Sequence, residues 1–216
     1  MSDYLNTITG AVQKGNEKLV AQTVAEALDA GIAPQEILNK GLISGIQAVG
    51  QLFKDGEFYL PEVMISTRAT KNGIEKLKPH LAGVDIPKKG TVVIGSVKGD
   101  MHDIGKNLVR LMLESNGFEV HDLGVDVSAD SFVRAAQEAN AEIVALSALL
   151  TTTMVYIPDV AKALEQASLR SKVKIMIGGA PITRQFADEV GVEGYGEDCA
   201  SAVDEADRLV ELTRRR

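Results

Sequence analysis

A chain of 216 residues, 45% hydrophobic and 25% charged, has the composition of an ordinary globular protein, and its length suits one large domain or two small ones. With 4% aromatic residues, no tryptophan and a net charge of −7, it lacks the stacking surfaces and the positive field that a nucleic-acid partner requires. The lone Cys199 excludes an intrachain disulfide and a cysteine-ligated zinc. With no cationic-then-apolar leader and no apolar run of membrane length, the expectation is a cytoplasmic protein with no membrane partner.

The first eighty-odd residues carry helical periodicity only. Leu5, Ile8 and Val12 share one face, and Gly15-Asn16 closes that helix and starts the next. Leu19, Val20, Val24, Ala27 and Leu28 form a second stripe, ended by Gly31. Pro34 suits the first turn of a third helix bearing Ile37, Leu38, Leu42, Ile46, Val49, Leu52 and Phe53. After a break at Lys54-Asp55-Gly56-Glu57, Pro61 opens a fourth helix with Met64, Ile65, Ile74 and Leu77. Four amphipathic helices on short connections predict an antiparallel bundle over residues 1–82. Residues 83–89 then read as a linker.

From residue 90 onward the period changes. Strand-like runs at Thr91–Val97, Glu119–Leu123, Ile143–Leu149 and Val173–Ile177, with a short fifth around Val192–Tyr195, alternate with helices. Those helices start near Ile104, Ser128, Ile157 and Thr183, and a last one spans about Cys199 to Thr213. Alternation of this kind predicts a doubly wound, five-stranded parallel α/β domain over 90–216, with the flavodoxin-like order 2-1-3-4-5. Its switch point lies between the first and third strands, where the loop Gly99-Asp100-Met101-His102-Asp103-Ile104-Gly105 leaves the first strand and Ser147 ends the third. The basic end, Arg214-Arg215-Arg216, complements a helix C-terminus or is a solvated tail.

Taken alone, Asp100-x-His102-x-x-Gly105 reads equally as a capped helix start with a surface histidine. Two more features lie on the correct strands: Ser147-Ala148-Leu149 after 41 intervening residues, and Gly178-Gly179 after a further 28. With these spacings the chain resembles the cobalamin-binding domains of the methionine synthase type, whose pattern is Asp-x-His-x-x-Gly, Ser-x-Leu and Gly-Gly. The segment Val49-Gly50-Gln51-Leu52-Phe53-Lys54-Asp55-Gly56-Glu57-Phe58-Tyr59-Leu60-Pro61-Glu62-Val63 is similar to the helical cap of the same family. In length and composition the chain looks most like the free-standing corrinoid proteins of methylamine, methanol and methoxyaromatic methyltransferase systems.

The resemblance implies a cobalamin cofactor in its methylcobalamin and cobalt(I) forms, with His102 as lower axial ligand in place of the cofactor's own base. Asp100 would hold the other ring nitrogen, and Ser147 would hydrogen-bond into the same relay. Asp103 and Ile104 would be cofactor-binding residues of the same loop, Gly105 would let the backbone pass close to the displaced nucleotide tail, Gly178 and Gly179 would do so deeper, and Leu149 would pack along the slot. Phe53, Leu60 and Val63 would cover the upper face, although Val63 also reads as bundle core. The function implied is a methyl carrier, inert alone. It would be loaded by a substrate-specific methyltransferase, emptied to tetrahydrofolate or coenzyme M by an acceptor methyltransferase, and kept active by a reductive activase. The alternative is a cobalamin sensor or storage module. His80 and His121 lack ligand-like company, Cys199 reads as a small packed residue, and Glu197-Asp198 as a helix N-terminus.

Overall fold

A computed structural model describes residues 2–81 and 88–214. The chain divides into two compact units, Met1–Pro87 with Ser115–Gly117 and Lys88–Glu114 with Phe118–Arg216, and the expected linker over 83–89 falls largely outside the described residues.

The helical unit follows its apolar spacing. Helix α1 (Ser2–Gln13) turns through Gly15 into α2 (Glu17–Asp29), where the Asn16 side chain accepts the Leu19 N–H at 3.1 Å and caps the new helix. The third helix is continuous in space but not uniform. A single turn, α3 (Pro34–Glu36), leads into a seven-residue π-helical stretch, Ile37–Ile43, and then into α4 (Ser44–Lys54). A π turn frees carbonyls from the ordinary ladder, and side chains take them up here. Thr9 donates to the carbonyls of Lys40 and Gly41 at 3.3 and 3.1 Å, and Ser44 to that of Asn39 at 2.9 Å. Helix α5 (Leu60–Leu77) starts where the Glu62 carboxylate accepts the Tyr59 N–H at 3.0 Å, and it runs into a 3₁₀ turn, Lys78–His80. Ile8, Val12, Val20, Val24, Leu38, Leu42, Val49, Val63 and Leu77 are fully buried.

The second unit is built on five parallel strands in the order β2-β1-β3-β4-β5. They are β1 (Thr91–Ser96), β2 (Glu119–Asp122), β3 (Ile143–Ser147), β4 (Lys174–Gly178) and β5 (Gly194–Gly196), and the order is the one the sequence predicts. Every residue of β1 is buried, as expected of a strand with neighbours on both edges and helices on both faces. The crossovers are α6 (Ile104–Ser115), α7 (Ala129–Glu138), a short α8 (Thr151–Met154) followed by α9 (Ile157–Gln166), and α10 (Arg184–Glu189); α11 (Cys199–Arg214) closes the chain. One core layer packs Phe132, Ile157, Val160 and Leu164 against Val93, Val144, Ile175 and Ile177.

At the other end of the sheet, the first residues of this unit are fastened to its last helix. Lys89 reaches both Asp207 oxygens at 2.9 Å, while Arg214 donates to the Lys89 carbonyl at 2.7 Å and pairs with Glu142 at 3.0 Å. Arg214 is therefore engaged rather than a free tail; Arg215 and Arg216 lie outside the described residues.

Candidate functional site

The carboxyl ends of β1 and β3 stand side by side, with Ser96 opposite Ser147 in register and the Val97 N–H donating to the Ser147 carbonyl at 3.0 Å. The β1–α6 loop leaves at this point. It folds over Asp100, whose side chain is 1% exposed although it is a carboxylate. Burial of this kind is sustainable only with donors, and Asp100 has four. Oδ1 accepts the His102 backbone N–H at 3.0 Å and lies 2.8 Å from His102 Nδ1, while Oδ2 accepts the Leu149 N–H at 2.7 Å and the Thr153 hydroxyl at 2.6 Å. Burial pushes the Asp100 carboxyl up, but the hydrogen bonds from Thr153, Leu149 and His102 outweigh it and hold the group well below the usual carboxylate range.

An ionised Asp100 against Nδ1 fixes His102 as the Nδ1–H tautomer, leaving the Nε2 lone pair available. The ring is half exposed, and Nε2 has no hydrogen-bond partner among the described residues. Among those residues, no three His, Cys, Asp or Glu side chains cluster to hold a metal by themselves. A metal at Nε2 would draw its remaining ligands from elsewhere, as it would from a macrocycle.

Beside the loop a cavity of about 660 Å³ opens between the sheet and helices α6 and α11. His102, Asp103, Ile104, Gly105, Leu108 and Val109 line it on one side, Ala145, Ser147, Leu149, Met176, Gly178 and Gly179 along the strand ends, and Cys199 and Ala202 on the far side. At two of its lining residues the backbone packs too closely to admit a side chain. A Cβ on Gly179, whose φ is +130°, would stand 1.9 Å from the Ala148 carbonyl oxygen, and one on Gly178 would stand 2.8 Å from that of Gly196. A glycine-walled, largely apolar slot beside a histidine with one free nitrogen fits a corrinoid whose nucleotide tail has left the metal.

One expectation needs correction. Ser147 lines the cavity, but it is not among the hydrogen-bond partners of Asp100. The hydroxyl that reaches Asp100 belongs to Thr153, because the chain turns into α8 immediately after β3 and carries that residue back over the loop. Val63 is fully buried. Phe53, the penultimate residue of α4, and Leu60, the first of α5, are half-buried within the helical unit.

One other residue enters unannounced. Lys106 lines the cavity with its side chain 1% exposed. It is spent on Asp122, at 2.6 and 2.8 Å, and on Asn107 Oδ1 at 2.9 Å, so it acts as an internal ion pair and not as a free cation. Glu197 and Asp198 also line the cavity, although Asp198 caps α11 as its position suggests, accepting the Ser201 N–H at 2.7 Å. Burial, with Asp198 beside it, pushes the Cys199 thiol up, which keeps it protonated and poorly nucleophilic. His121 lies 3.6 Å from the Glu119 carboxylate within β2, and His80 is exposed at the end of the 3₁₀ turn. The relay threonine was open to detection. Three consecutive threonines, Thr151 to Thr153, follow a strand end that faces an aspartate in need of donors.

Comparison with known proteins agrees with this geometry. A B12 binding domain family matches residues 90–204, and a second B12 binding domain family matches residues 4–78. The dimethylamine corrinoid protein 1 of Methanosarcina acetivorans is 43% identical over 209 residues, covering 96% of this chain and 98% of its own length. The trimethylamine corrinoid protein 1 of the same organism is 43% identical over 195 residues, 89% of this chain and 90% of its own. Among solved structures, a chain of the methanol:cobalamin methyltransferase complex of Methanosarcina barkeri superposes with a TM-score of 0.89 at 33% identity, covering 99% of this chain and 84% of that one. A cobalamin-binding protein of Desulfitobacterium hafniense gives 0.72 at 31% identity, covering 95% and 98%. With both units matched and the similarity running nearly end to end, the chain belongs to the B12-binding corrinoid protein family.

Proposed function

We propose that this chain is the methyl carrier of a corrinoid-dependent methyltransferase system, and that His102 is its protein ligand to cobalt. The observation that carries the second part is the Asp100–His102 pair, with Nδ1 held at 2.8 Å and Nε2 unpartnered at the rim of the slot. When bound, the corrinoid supplies a cobalt centre able to accept a methyl group from one partner's substrate and yield it to another's. Asp100 keeps the imidazole in one tautomer, Thr153 and the Leu149 N–H keep Asp100 ionised and oriented, and Gly178 at the end of β4 with Gly179 after it would let the displaced tail approach. Asp103, Ile104, Gly105, Ser147 and Leu149, which line the same cavity, would border the bound cofactor. Phe53 and Leu60 are the apolar residues assigned to exclude water from the upper face.

A carrier needs a donor-side methyltransferase, and one relative by structure is a chain of a methanol:cobalamin methyltransferase complex. We assign an acceptor methyltransferase for tetrahydrofolate or coenzyme M and a reductive activase as further partners. Among the described residues no helix is long and apolar enough to cross a membrane, and with a single cysteine the cytoplasm is the compartment we assign.

The test is reconstitution with methylcobalamin. The wild type should show the spectrum of cobalamin that has lost its own base and gained a histidine, and His102→Ala should lose it while remaining folded. A spectrum unchanged in His102→Ala would remove that residue from the role.

A further inference from the structure

The loop that carries His102 is gripped from a second side, by the connection between β2 and α7. Three described non-glycine residues have positive φ: Asp126 at 53°, Asn140 at 48° and Ser168 at 58°. Asn140 and Ser168 each stand two residues past the end of a helix, where a left-handed residue is the ordinary way to stop. Asp126 has no such excuse. It sits in mid-connection, between β2 and α7, and the conformation lets it make two contacts at once. Its Oδ1 accepts the Gly99 N–H at 2.7 Å, and its own N–H donates to the Asp100 carbonyl at 3.0 Å. The Asp100 N–H is in turn bonded to the Val97 carbonyl at 3.0 Å. Asp126 thereby brackets the backbone on both sides of the Asp100 Cα and sets the direction in which that carboxylate leaves the chain.

We propose that Asp126 is a positioning residue for His102, acting through Asp100. The proposal rests on the reading of His102 as the cobalt ligand. The path is short: Asp126 fixes the Gly99-Asp100 backbone, the Asp100 carboxylate fixes Nδ1, and Nε2 is aimed at the slot. Ser96 assists from below, its buried hydroxyl donating to the His102 carbonyl at 2.6 Å. A strained non-glycine residue that exists to orient a neighbouring loop is a usual way of pre-setting a ligand before the metal arrives.

The test uses the full chain and three variants. Asp126→Asn keeps an acceptor oxygen and tolerates the left-handed conformation, Asp126→Gly relieves the strain but removes the acceptor, and Asp126→Ala removes the acceptor and keeps the strain. In the cofactor-free protein, nitrogen-15 NMR of the imidazole should show a single protected Nδ1–H tautomer in wild type and Asp126→Asn. Mixed tautomers and faster exchange are expected in Asp126→Gly. In nitrogen-15-labelled protein loaded with unlabelled cobalamin and reduced to cobalt(II), the two-line nitrogen-15 splitting of the EPR signal, distinct from the three-line splitting of the cofactor's own base, reports the ratio of histidine-bound to histidine-free metal. That ratio should fall about tenfold in Asp126→Gly and stay near wild type in Asp126→Asn, the size expected for one lost charge-assisted hydrogen bond. A folded Asp126→Gly with the wild-type tautomer and ratio would overturn the proposal, as would an Asp126→Asn variant that behaves like Asp126→Gly. Absence of nitrogen-15 splitting in the wild type would instead sink the assignment of His102 as ligand, leaving the cofactor-free measurement to judge Asp126 separately.

Discussion

At the scale of single residues, a buried carboxylate governs the site. Asp100 is stable as an anion because four donors replace the water it has lost, and each donor can be removed in turn. Thr153→Ala leaves one oxygen of a buried charge short of a partner. The loss is expected to be about 1–3 kcal/mol in urea unfolding of the cofactor-free protein, with Thr153→Ser close to wild type. Ser147→Ala, by contrast, should leave that stability within about 0.5 kcal/mol, since the serine does not bond Asp100. Equal losses in the two alanine variants would contradict the relay seen here. Gly179→Ala is a different failure, because a methyl group 1.9 Å from a carbonyl oxygen at φ +130° cannot be accommodated without moving the β4–α10 turn. It should lower the melting temperature and abolish retention of cobalamin on a sizing column.

At the scale of elements, the strands and their order were legible because alternating β and α segments leave few topologies. The 2-1-3-4-5 order then placed the loop after β1 beside the end of β3. What stayed hidden was set by tertiary contact. Nothing in the apolar stripe from Ile37 to Phe53 announces that Ile37–Ile43 winds as a π-helix, because its stabilising partner, Thr9, lies 31 and 32 residues away from the carbonyls it satisfies. Likewise the four-residue α8 is too short to show a period, so the sequence alone points to the strand-end Ser147 and not to Thr153. Strand and helix packing makes its own prediction. Phe132 of α7 is wholly buried against Gly95 and Val127, and Phe132→Ala should cost about 3–5 kcal/mol, read from the urea midpoint at unchanged slope.

At the scale of the whole molecule, charge is arranged so that acidity is the expected route to unfolding. Asp100, Asp122, Glu193 and Glu205 are all held below their ordinary values. Burial opposes this in each case, but hydrogen bonds and cations overcome it: Lys106 and Arg110 at Asp122, Arg170 and Lys174 at Glu193, and Arg208 and Arg184 at Glu205, which is brought to about 2. A carboxylate with a lowered folded-state pKa contributes stability that is fully present above its unfolded value, near pH 4, and lost as pH falls toward the folded value. The melting temperature of the cofactor-free protein should therefore be nearly flat from about pH 8 to 5 and drop below about pH 4. A decline that begins near neutrality would point to groups other than these four.

The fastening of Lys89 by Asp207 and Arg214 has a practical corollary for anyone editing the chain. Truncation just before Arg214 would act more than a hundred positions upstream, by removing one of the two ties on the peptide that feeds the first strand. Amide exchange at Gly90 and Thr91 should accelerate in such a truncation while the middle of β3 keeps its protection.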